Sequence, residues 1–582
     1  MVLIATMNKD RKPGMRKRWE SRIADADALA NLADVPSLHP LVARILVARG
    51  VNTADDAARF LSPSLSALHD PSLLRGMEAA VARLRAARRN RETVCIYGDY
   101  DVDGITGTAL LVSFLRAVGI ECRYFIPNRF DDGYGLGRDA IDRIAADGAD
   151  LIVSVDCGIT AIDEALYCHR QGIDLVIVDH HAPAAMIPAA YAVLNPLQPG
   201  CGYPFKSLAG VGVAFNLLIA LRAALRDEGA FGPGSGPDLR EWLDLVALGT
   251  IADVVPLTDQ NRIYAFHGLR QLSCSARTGV QALKQVAGVT GEVSSGQVGF
   301  RLAPRLNAAG RMESAVPGVE LLLSTSREES ASIAADLDIA NAERQAVERR
   351  IFEEALAMVE SSGTYPRRRS IVLASRNWHQ GVVGIVASRL VERYHRPTIL
   401  IALADDGSAR GSGRGIPGFH LLDALTVCAS HLERFGGHRH AVGVTLRAEG
   451  VAAFGAAFEA EAARLLAGAD LMPLLDIDAE AQPEDVGREL ALELKRLAPF
   501  GAANPEPVLV MRAMKVTERR PVGDGHLRLR LAKGRHVFNA IAFRMAQRET
   551  EGLVDVAFFP EINEWNGSST VRLRVKDLRP AE

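Results

Sequence analysis

The sequence predicts an α/β protein: a parallel-sheet domain joined by a long connector helix to a second α/β domain, with a C-terminal β-barrel after it. Three observations carry the prediction. Short β-branched runs alternate with helical stretches between residues 93 and 178, a continuous helical pattern runs for about 36 residues from Ser326, and period-two alternation dominates beyond residue 470.

Residues 1–76 read as a small amino-terminal segment of mixed helical character, broken at Pro36, Pro40, Pro63 and Pro71. The first domain follows over 77–325. Thr93-Val94-Cys95-Ile96-Tyr97, Leu151-Ile152-Val153-Ser154-Val155 and Leu175-Val176-Ile177-Val178 are short and β-branched, as strands buried on both faces are. Helical stretches at 106–118, 138–146 and 161–170 are each followed by a glycine, Gly119, Gly148 or Gly172, where a C-terminal cap belongs. That alternation is the pattern of a parallel sheet. The glycine-rich stretch 229–236 reads as a flexible loop.

Ser326-x-x-Glu329 reads as a capping box, and the helical pattern continues to Glu360 before Gly363. About 36 residues at 1.5 Å each span roughly 54 Å. That length suits a connector (326–364) holding two lobes across a cleft; a coiled-coil dimer is the alternative, and the ragged apolar repeat argues against it. The second domain, 365–469, opens on the strand Ser370-Ile371-Val372-Leu373-Ala374. It carries Gly411-Ser412-Gly413-Arg414-Gly415, whose glycines permit close backbone approach and whose Ser and Arg can donate to a phosphate. In 470–582, Leu527-Arg528-Leu529-Arg530-Leu531 and Val571-Arg572-Leu573-Arg574-Val575-Lys576 put apolar residues on one face and cations on the other. Phe538, Phe543, Phe558, Phe559 and Trp565 are the aromatics there, each reading as core before base-stacking platform.

The chain of 582 residues is long enough for three or four domains, and 48% hydrophobic residues support globular folding. No run approaches the ~18 apolar residues of a membrane span. The apolar residues 1–7 precede Lys9, Arg11 and Lys12, the wrong order for a secretory signal. Seven scattered cysteines without a Cys-x-x-Cys point to reduced thiols, a cytoplasmic location and no structural zinc. Asn566-Gly567-Ser568 is then only a turn. The net charge of −3 conceals a local +8 over 512–548, where ten Lys and Arg face only Glu518 and Asp524. Such a patch is the electrostatic footprint of phosphate binding.

Gly98-Asp99-Tyr100-Asp101-Val102-Asp103-Gly104, Val155-Asp156-Cys157-Gly158 and Val178-Asp179-His180-His181 each follow an apolar run. They fall at the carboxyl ends of successive strands, where open parallel sheets bind ligands. A lone Asp-x-Asp is commonly a solvated turn. Three acidic motifs on consecutive strands outline a site, and carboxylates with imidazoles favour Mn²⁺ or Mg²⁺ over a thiolate zinc. The outline is that of a two-cation phosphoester hydrolase.

The order Asp-x-Asp, Asp, Asp-His-His, then Asp253 in Leu248-Gly249-Thr250-Ile251-Ala252-Asp253-Val254-Val255-Pro256 resembles the DHH phosphoesterase family, and within it the bacterial single-strand-specific exonucleases. Leu302-Ala303-Pro304-Arg305-Leu306-Asn307-Ala308-Ala309-Gly310-Arg311-Met312, Trp378-His379-Gln380-Gly381, Gly411-Ser412-Gly413-Arg414, Gly436-Gly437-His438, Pro499-Phe500-Gly501 and Asn504-Pro505-Glu506-Pro507 extend the likeness from about Arg18 to the C-terminus. The resemblance implies a DHH catalytic domain (77–325), a DHH-associated substrate-binding domain (365–469) and an OB-fold that binds nucleic acid (470–582). It further implies two cations sharing Asp156, one also held by Asp101 and the other by Asp103, His180 and Asp253, with water attacking phosphorus in line with the leaving 3′ oxygen. His181 would contact the scissile phosphate, assist proton transfer or orient a ligand, and Asp99 and Asp179 would act from outside the ligand set. Tyr97 stands where many members carry histidine, which implies a more hydrated first cation.

The implied activity is 5′-to-3′ digestion of single-stranded DNA to mononucleotides in DNA repair, recombination and mismatch repair. Arg129, Ser412 and Arg414 would hold the terminal phosphate, Arg305, Asn307, Arg311 and His438 would guide the backbone, and Arg528, Arg530, Arg572 and Arg574 would form the basic face of the barrel. Implied partners are single-stranded DNA, a single-strand-binding protein and a RecQ-type helicase, with the enzyme a monomer away from membranes. Three alternatives share parts of this pattern: a small-nucleotide or oligoribonucleotide phosphodiesterase of the same family, a 5′ exonuclease on RNA, and a non-catalytic single-strand-binding relative. The terminal barrel favours a polymer substrate, and the full set of expected ligands after Tyr97 favours an enzyme. Nothing visible reads a 2′-hydroxyl.

Overall fold

A computed structural model of the chain describes residues 16–581 except 34, 36, 37, 130, 131, 134, 233, 364–366, 524, 566 and 567. The start of the chain with Lys9, Arg11 and Lys12, and Pro36, Phe130, Tyr365, Asp524 and Asn566-Gly567, lie outside the described residues, as does the side chain of Trp565. The chain forms two compact units: residues 62–344 with 498–505, and residues up to 61 with 345–497 and 506–582. No helix among the described residues is long and apolar enough to cross a membrane.

The first unit holds an all-parallel sheet of β1 (Val94–Gly98), β2 (Cys122–Phe125), β3 (Leu151–Val155), β4 (Asp174–Val178) and β5 (Ala192–Leu194), in the order β2-β1-β3-β4-β5. β1, β3 and β4 coincide with the β-branched runs. β2 and β5 escape a periodicity reading because they are short edge strands with polar residues such as Arg123 and Tyr124 or only three residues long. The register is what matters for the site: Gly98 pairs with Val155 and Val155 with Val178. Asp99, Asp156 and Asp179 therefore leave the sheet side by side, their amides bonded to Val155, Val178 and Leu194 carbonyls at 3.3, 3.0 and 2.9 Å.

Helix α1 (Val102–Ala117) starts four residues before the expected position 106, because Asp101 caps it by accepting from the amides of Asp103 (2.9 Å) and Gly104 (3.3 Å). Gly119, Gly148 and Gly172 end their helices with φ of 78°, 77° and 75°. Above the carboxyl edge pack α2 (Gly210–Asp227), α3 (Leu243–Ala252) and α4 (Asp259–Cys274). Their approach depends on missing side chains. A Cβ at Gly249 would lie 2.3 Å from Thr106 Oγ1, and one at Gly268 would lie 2.2 Å from the Leu243 carbonyl. Helix α5 (Ala303–Met312) follows a single π-helical turn, Val298–Leu302.

The connector, α6 (Arg327–Ser361), is 35 residues long; its first half belongs to one unit and its second half to the other. Ser326 accepts from the Glu329 amide at 3.3 Å, but Glu329 bonds the Ser324 hydroxyl at 2.6 Å, so the expected capping box is half formed. Ser330, Ala334, Leu337, Asn341 and Arg344 are buried in the first half, and Ile351, Phe352, Ala355 and Val359 in the second. The stripe a coiled coil would need is thus used within the chain.

In the second unit, a mixed five-stranded sheet includes Ser408–Arg414, Arg434–Gly437 and Ala441–Arg447. Gly411 and Gly413 sit in the middle strand, where a Cβ would lie 2.8 and 2.7 Å from Val444 and Val442. The last region closes into a five-stranded barrel: Leu509–Val522, His526–Lys533, His536–Ala542, Ser568–Pro580 and Leu553–Trp565 pair in that order, and the last returns to the first. The amino-terminal segment divides at residue 61. Its strand Arg18–Ser21 pairs in parallel with Leu474–Ile477, and Trp19 donates to Asp577 at 3.0 Å.

Gly268 lets α4 lie against α3, the helix that ends at Asp253. Gly268→Ala is expected to destabilise the protein by about 1–3 kcal/mol, read as a lower urea midpoint; an unchanged midpoint would show that the two backbones are not held this closely.

Candidate metal centre

Four acidic and imidazole side chains converge beyond the sheet edge. His180 Nε2 lies 3.1 Å from Asp156 Oδ1, 3.5 Å from Asp253 Oδ2 and 3.8 Å from Asp103 Oδ2. Asp103 is fixed from behind: its two oxygens accept from the amides of Gly210 (2.6 Å) and Val211 (2.9 Å) in the first turn of α2. A helix N-terminus favours a carboxylate. Asp156 sits in left-handed backbone with φ 64°, which turns the chain sharply after β3. Asp253 is the residue that caps the C-terminal end of α3.

The adjacent histidines differ because of Asp179. Its Oδ1 accepts from the amides of His180 (2.7 Å) and His181 (3.1 Å) and lies 2.8 Å from His181 Nδ1, while Oδ2 accepts from the Ile159 amide at 2.9 Å. Burial opposes charge on Asp179, yet the bond from His181 and the nearby imidazoles outweigh it and hold the carboxyl down at about 2. For His181, burial favours the neutral ring, but the Asp179 bond prevails and raises its pKa. His180 is pushed down to about 4, first by burial and then by His181 beside it, so it is neutral at physiological pH.

The carboxylates move the other way. Burial, then the neighbouring Asp101, pushes Asp103 up to about 7. Burial, followed by repulsion from Asp103, Asp101 and Asp99, raises Asp156 and Asp253 well above the carboxylate range, and burial with Asp101 does the same to Asp99. A group of buried acids that resists ionisation is a group that wants cations.

The donor set fits divalent cations. Among the described residues, Asp99 Oδ1, Asp156 Oδ1, Asp253 Oδ2 and His180 Nε2 are buried with no well-aligned hydrogen bond. Their atoms fall into groups spanning no more than 4.8 Å: Asp103, His180 and Asp253; Asp156, His180 and His181; Asp99, Asp101 and Asp156. All are carboxylate or imidazole donors, suited to Mn²⁺ or Mg²⁺. The grouping brings Asp99 among the possible ligands, a residue the motif order had left outside them. Tyr97 stands apart: its hydroxyl donates to the Gly135 carbonyl at 2.8 Å and its ring stacks on Phe125 at 5.4 Å.

Beside Asp101, a small pocket is lined by Tyr100, Arg129, Asn307, Gly310 and Arg311. The Arg129 guanidinium lies over the Tyr100 ring, 4.3 Å from its centre. Gly310 brings α5 close, since a Cβ there would lie 2.7 Å from the Tyr100 carbonyl. Arg305 does not join this pocket; it pairs with Asp338 at 2.8 Å and bonds the Arg301 carbonyl at 2.5 Å, bracing α5 on α6. In the other unit, Ser412 and Arg414 face Gly384 of the helix Val383–Tyr394, whose Cβ would lie 3.3 and 3.1 Å from them. His438 is exposed in a hairpin turn where its amide bonds the Ala441 carbonyl at 2.8 Å.

On the barrel, Arg528 and Arg530 are exposed, with Arg520 directly opposite Arg528. Arg572 and Arg574 share that outer face but are neutralised: Arg572 pairs with Glu561, and Arg574 with Glu561 (3.1 Å) and Glu506. Spacing reveals a strand's cations but not the acids that neighbouring strands set against them. Sequence reasoning also missed Gly210 and Gly249. A Cβ at either would lie 3.0 Å from an Asp103 oxygen, and at Gly210 also 2.9 Å from Asp156 Cβ. The visible signal was glycine within otherwise apolar helices, at Gly210-Val211-Gly212 and Leu248-Gly249.

Residues 93–250 match the model of the DHH family N-terminal domain, 369–464 the DHHA1 domain and 477–577 the RecJ OB domain. The single-stranded-DNA-specific exonuclease RecJ of Bacillus subtilis is 38% identical over 576 residues, covering 97% of this chain and 71% of that protein. The crystal structure of RecJ from Thermus thermophilus in complex with Mn²⁺ superposes with a TM-score of 0.83 at 32% identity, covering 97% of this chain and 80% of the other. Its Mg²⁺ complex gives 0.78 at 31%, covering 97% and 79%.

Asp103 has a folded pKa of about 7 against an ordinary 3.8, so its contribution to the stability of chelated protein is present below about pH 4 and lost as pH rises through 7. Divalent cations replace those protons. The rise in melting temperature on adding Mn²⁺ to chelated protein is expected to be larger at about pH 8 than at about pH 5; no rise at either pH would rule out the cation site.

Proposed function

This chain belongs to the RecJ branch of the DHH phosphoesterase family, and we propose that it is a divalent-cation-dependent exonuclease digesting single-stranded DNA from the 5′ end to mononucleotides. The observation that carries this reading is the convergence of Asp156, His180 and Asp253, each with a buried ligand atom lacking a well-aligned hydrogen bond, around an Asp103 clamped by two backbone amides. When bound, two divalent cations supply positive charge at the scissile phosphate and a nucleophilic water at neutral pH.

The chain's own residues set up that chemistry. Asp156 would be shared between the two cations; Asp101 with Asp99 would complete the hold on one, and Asp103, His180 and Asp253 on the other. His180 is neutral and can offer a lone pair, since its pKa lies near 4. His181, oriented and kept basic by Asp179, is the residue suited to hold the scissile phosphate or carry a proton. Arg129, Asn307 and Arg311, in the pocket beside Asp101, hold strand phosphates next to the reaction. Ser412, Arg414 and His438, in the other unit, offer phosphate-binding donors there. Arg528 and Arg530 on the barrel track the backbone of a longer strand, which favours a polymer over a dinucleotide. The family role is DNA repair and recombination, including mismatch repair, with a single-strand-binding protein and a RecQ-type helicase as the partners to test.

The direct test is digestion of 5′- and 3′-labelled single-stranded DNA, RNA and duplex by chelated enzyme with Mn²⁺ or Mg²⁺ restored. Cation-dependent release of mononucleotides from the 5′ end of single-stranded DNA is expected; attack from the 3′ end or equal use of duplex would overturn the reading. Asp253→Ala or Asp101→Ala is expected to lower turnover by more than about a hundredfold while circular dichroism stays unchanged. Arg528→Ala with Arg530→Ala is expected to flatten the salt dependence of binding to long single strands by about 0.7 of a unit of slope per charge, whereas Arg572→Ala changes it little. Equal effects of the two would mean that the Glu561 pairing leaves Arg572 available to DNA.

A further inference from the structure

Residues 498–505 lie in sequence between two segments of the barrel's unit, yet they belong to the catalytic unit. The loop is closed on itself: Gly501 N donates to Asn504 O (2.9 Å), Asn504 N donates to Gly501 O (3.2 Å), and the buried Asn504 side chain donates to Pro499 O (2.8 Å). Three of its carbonyls then face the catalytic unit. Ala498 O accepts from Arg262 Nη2 (2.9 Å), Phe500 O from Ser295 Oγ (2.6 Å) and Ala502 O from the Leu257 amide (2.8 Å).

Two of the anchors, Leu257 and Ser295, bear on the site. Leu257 ends the turn Asp253-Val254-Val255-Pro256, which carries Asp253. Val254 in that turn is β-branched at φ 62° and 70% exposed, so its strained backbone gains nothing from burying its own side chain. The conformation must be held from elsewhere, and Leu257 is where the loop grips it. Gly501 packs so closely there that a Cβ would lie 2.7 Å from Leu257 Cδ1. Ser295 opens the short run into the π-helical turn and α5, which presents Asn307 and Arg311 to the pocket.

We propose that the loop 498–505 is a positioning element of the metal centre: through Leu257 it holds Asp253 in place for its cation, and through Ser295 it sets the helix that lines the phosphate pocket. The proposal rests on the nuclease reading above. Its consequence is that the C-terminal part of the chain builds the barrel and also completes the cation site.

The test uses the full chain, freed of metal by chelation, and titrates Mn²⁺ alone by calorimetry alongside cleavage of a labelled single strand. In Gly501→Val the new methyls strike Leu257, and Mn²⁺ affinity is expected to fall about tenfold. Turnover then falls at limiting Mn²⁺, with KM for the strand unchanged. The double variant Gly501→Val with Leu257→Ala, which removes the atoms struck, is expected to regain Mn²⁺ affinity; a purely structural defect would not be repaired this way. Ser295→Ala, a milder change, is expected to raise KM for the strand severalfold with Mn²⁺ affinity intact. Unaltered Mn²⁺ affinity in Gly501→Val, or a loss that the double variant does not repair, overturns the proposal. If the unaltered protein binds no Mn²⁺, the nuclease reading itself falls.

Discussion

Mutual repulsion among buried carboxylates is the constraint on which the catalytic unit is built. Burial raises the proton affinity of Asp99, Asp103, Asp156 and Asp253, and repulsion adds to it: from Asp101 at Asp99 and Asp103, and from Asp103, Asp101 and Asp99 at Asp156 and Asp253. Such a cluster is tolerated where the backbone holds it and protons or cations offset its charge. The backbone does so by two devices. Sheet register sets Asp99, Asp156 and Asp179 side by side, and two amides at the start of α2 clamp Asp103. Gly210 and Gly249 let the surrounding helices come within van der Waals distance of Asp103, so the clamp admits no side chain between.

The same local electrostatics separates two neighbouring histidines into different chemical roles. Asp179 bonds His181 and both following amides, which holds its own carboxyl down at about 2 and raises the pKa of His181. His180, turned toward Asp156, Asp103 and Asp253, stays neutral. A motif of three consecutive residues thus sets a carboxylate that accepts from three amides and faces an imidazole beside one neutral ring and one whose pKa is raised.

Cations away from the centre sort by what faces them. Arg129 and Arg311 border the pocket next to Asp101, whereas Arg305, in the same motif as Arg311, is tied to Asp338 and braces the connector. On the barrel, Arg528 and Arg530 lie exposed while Arg572 and Arg574 are held by Glu561 and Glu506. Net charge along the sequence could not have separated these cases, because the neutralising acids come from other elements of the chain.

Much of the architecture was legible in the residues themselves. β-branched runs marked β1, β3 and β4, glycines marked the helix ends, and a helical pattern of about 36 residues marked α6, because periodicity and capping are local properties. The acidic motifs were legible for the same reason: each is contiguous and follows a strand. What the sequence determined by itself was therefore the kinds of side chain delivered to the sheet edge and the order of their arrival. The tertiary structure alone decided which of them meet. It brought Asp99 in among the ligand groups, set glycines from α2 and α3 against Asp103, sent Arg305 to the connector, and tucked residues 498–505 beneath the turn that carries Asp253. Those choices depend on contacts between residues distant in sequence, fixed by sheet register and helix packing, which no local pattern encodes.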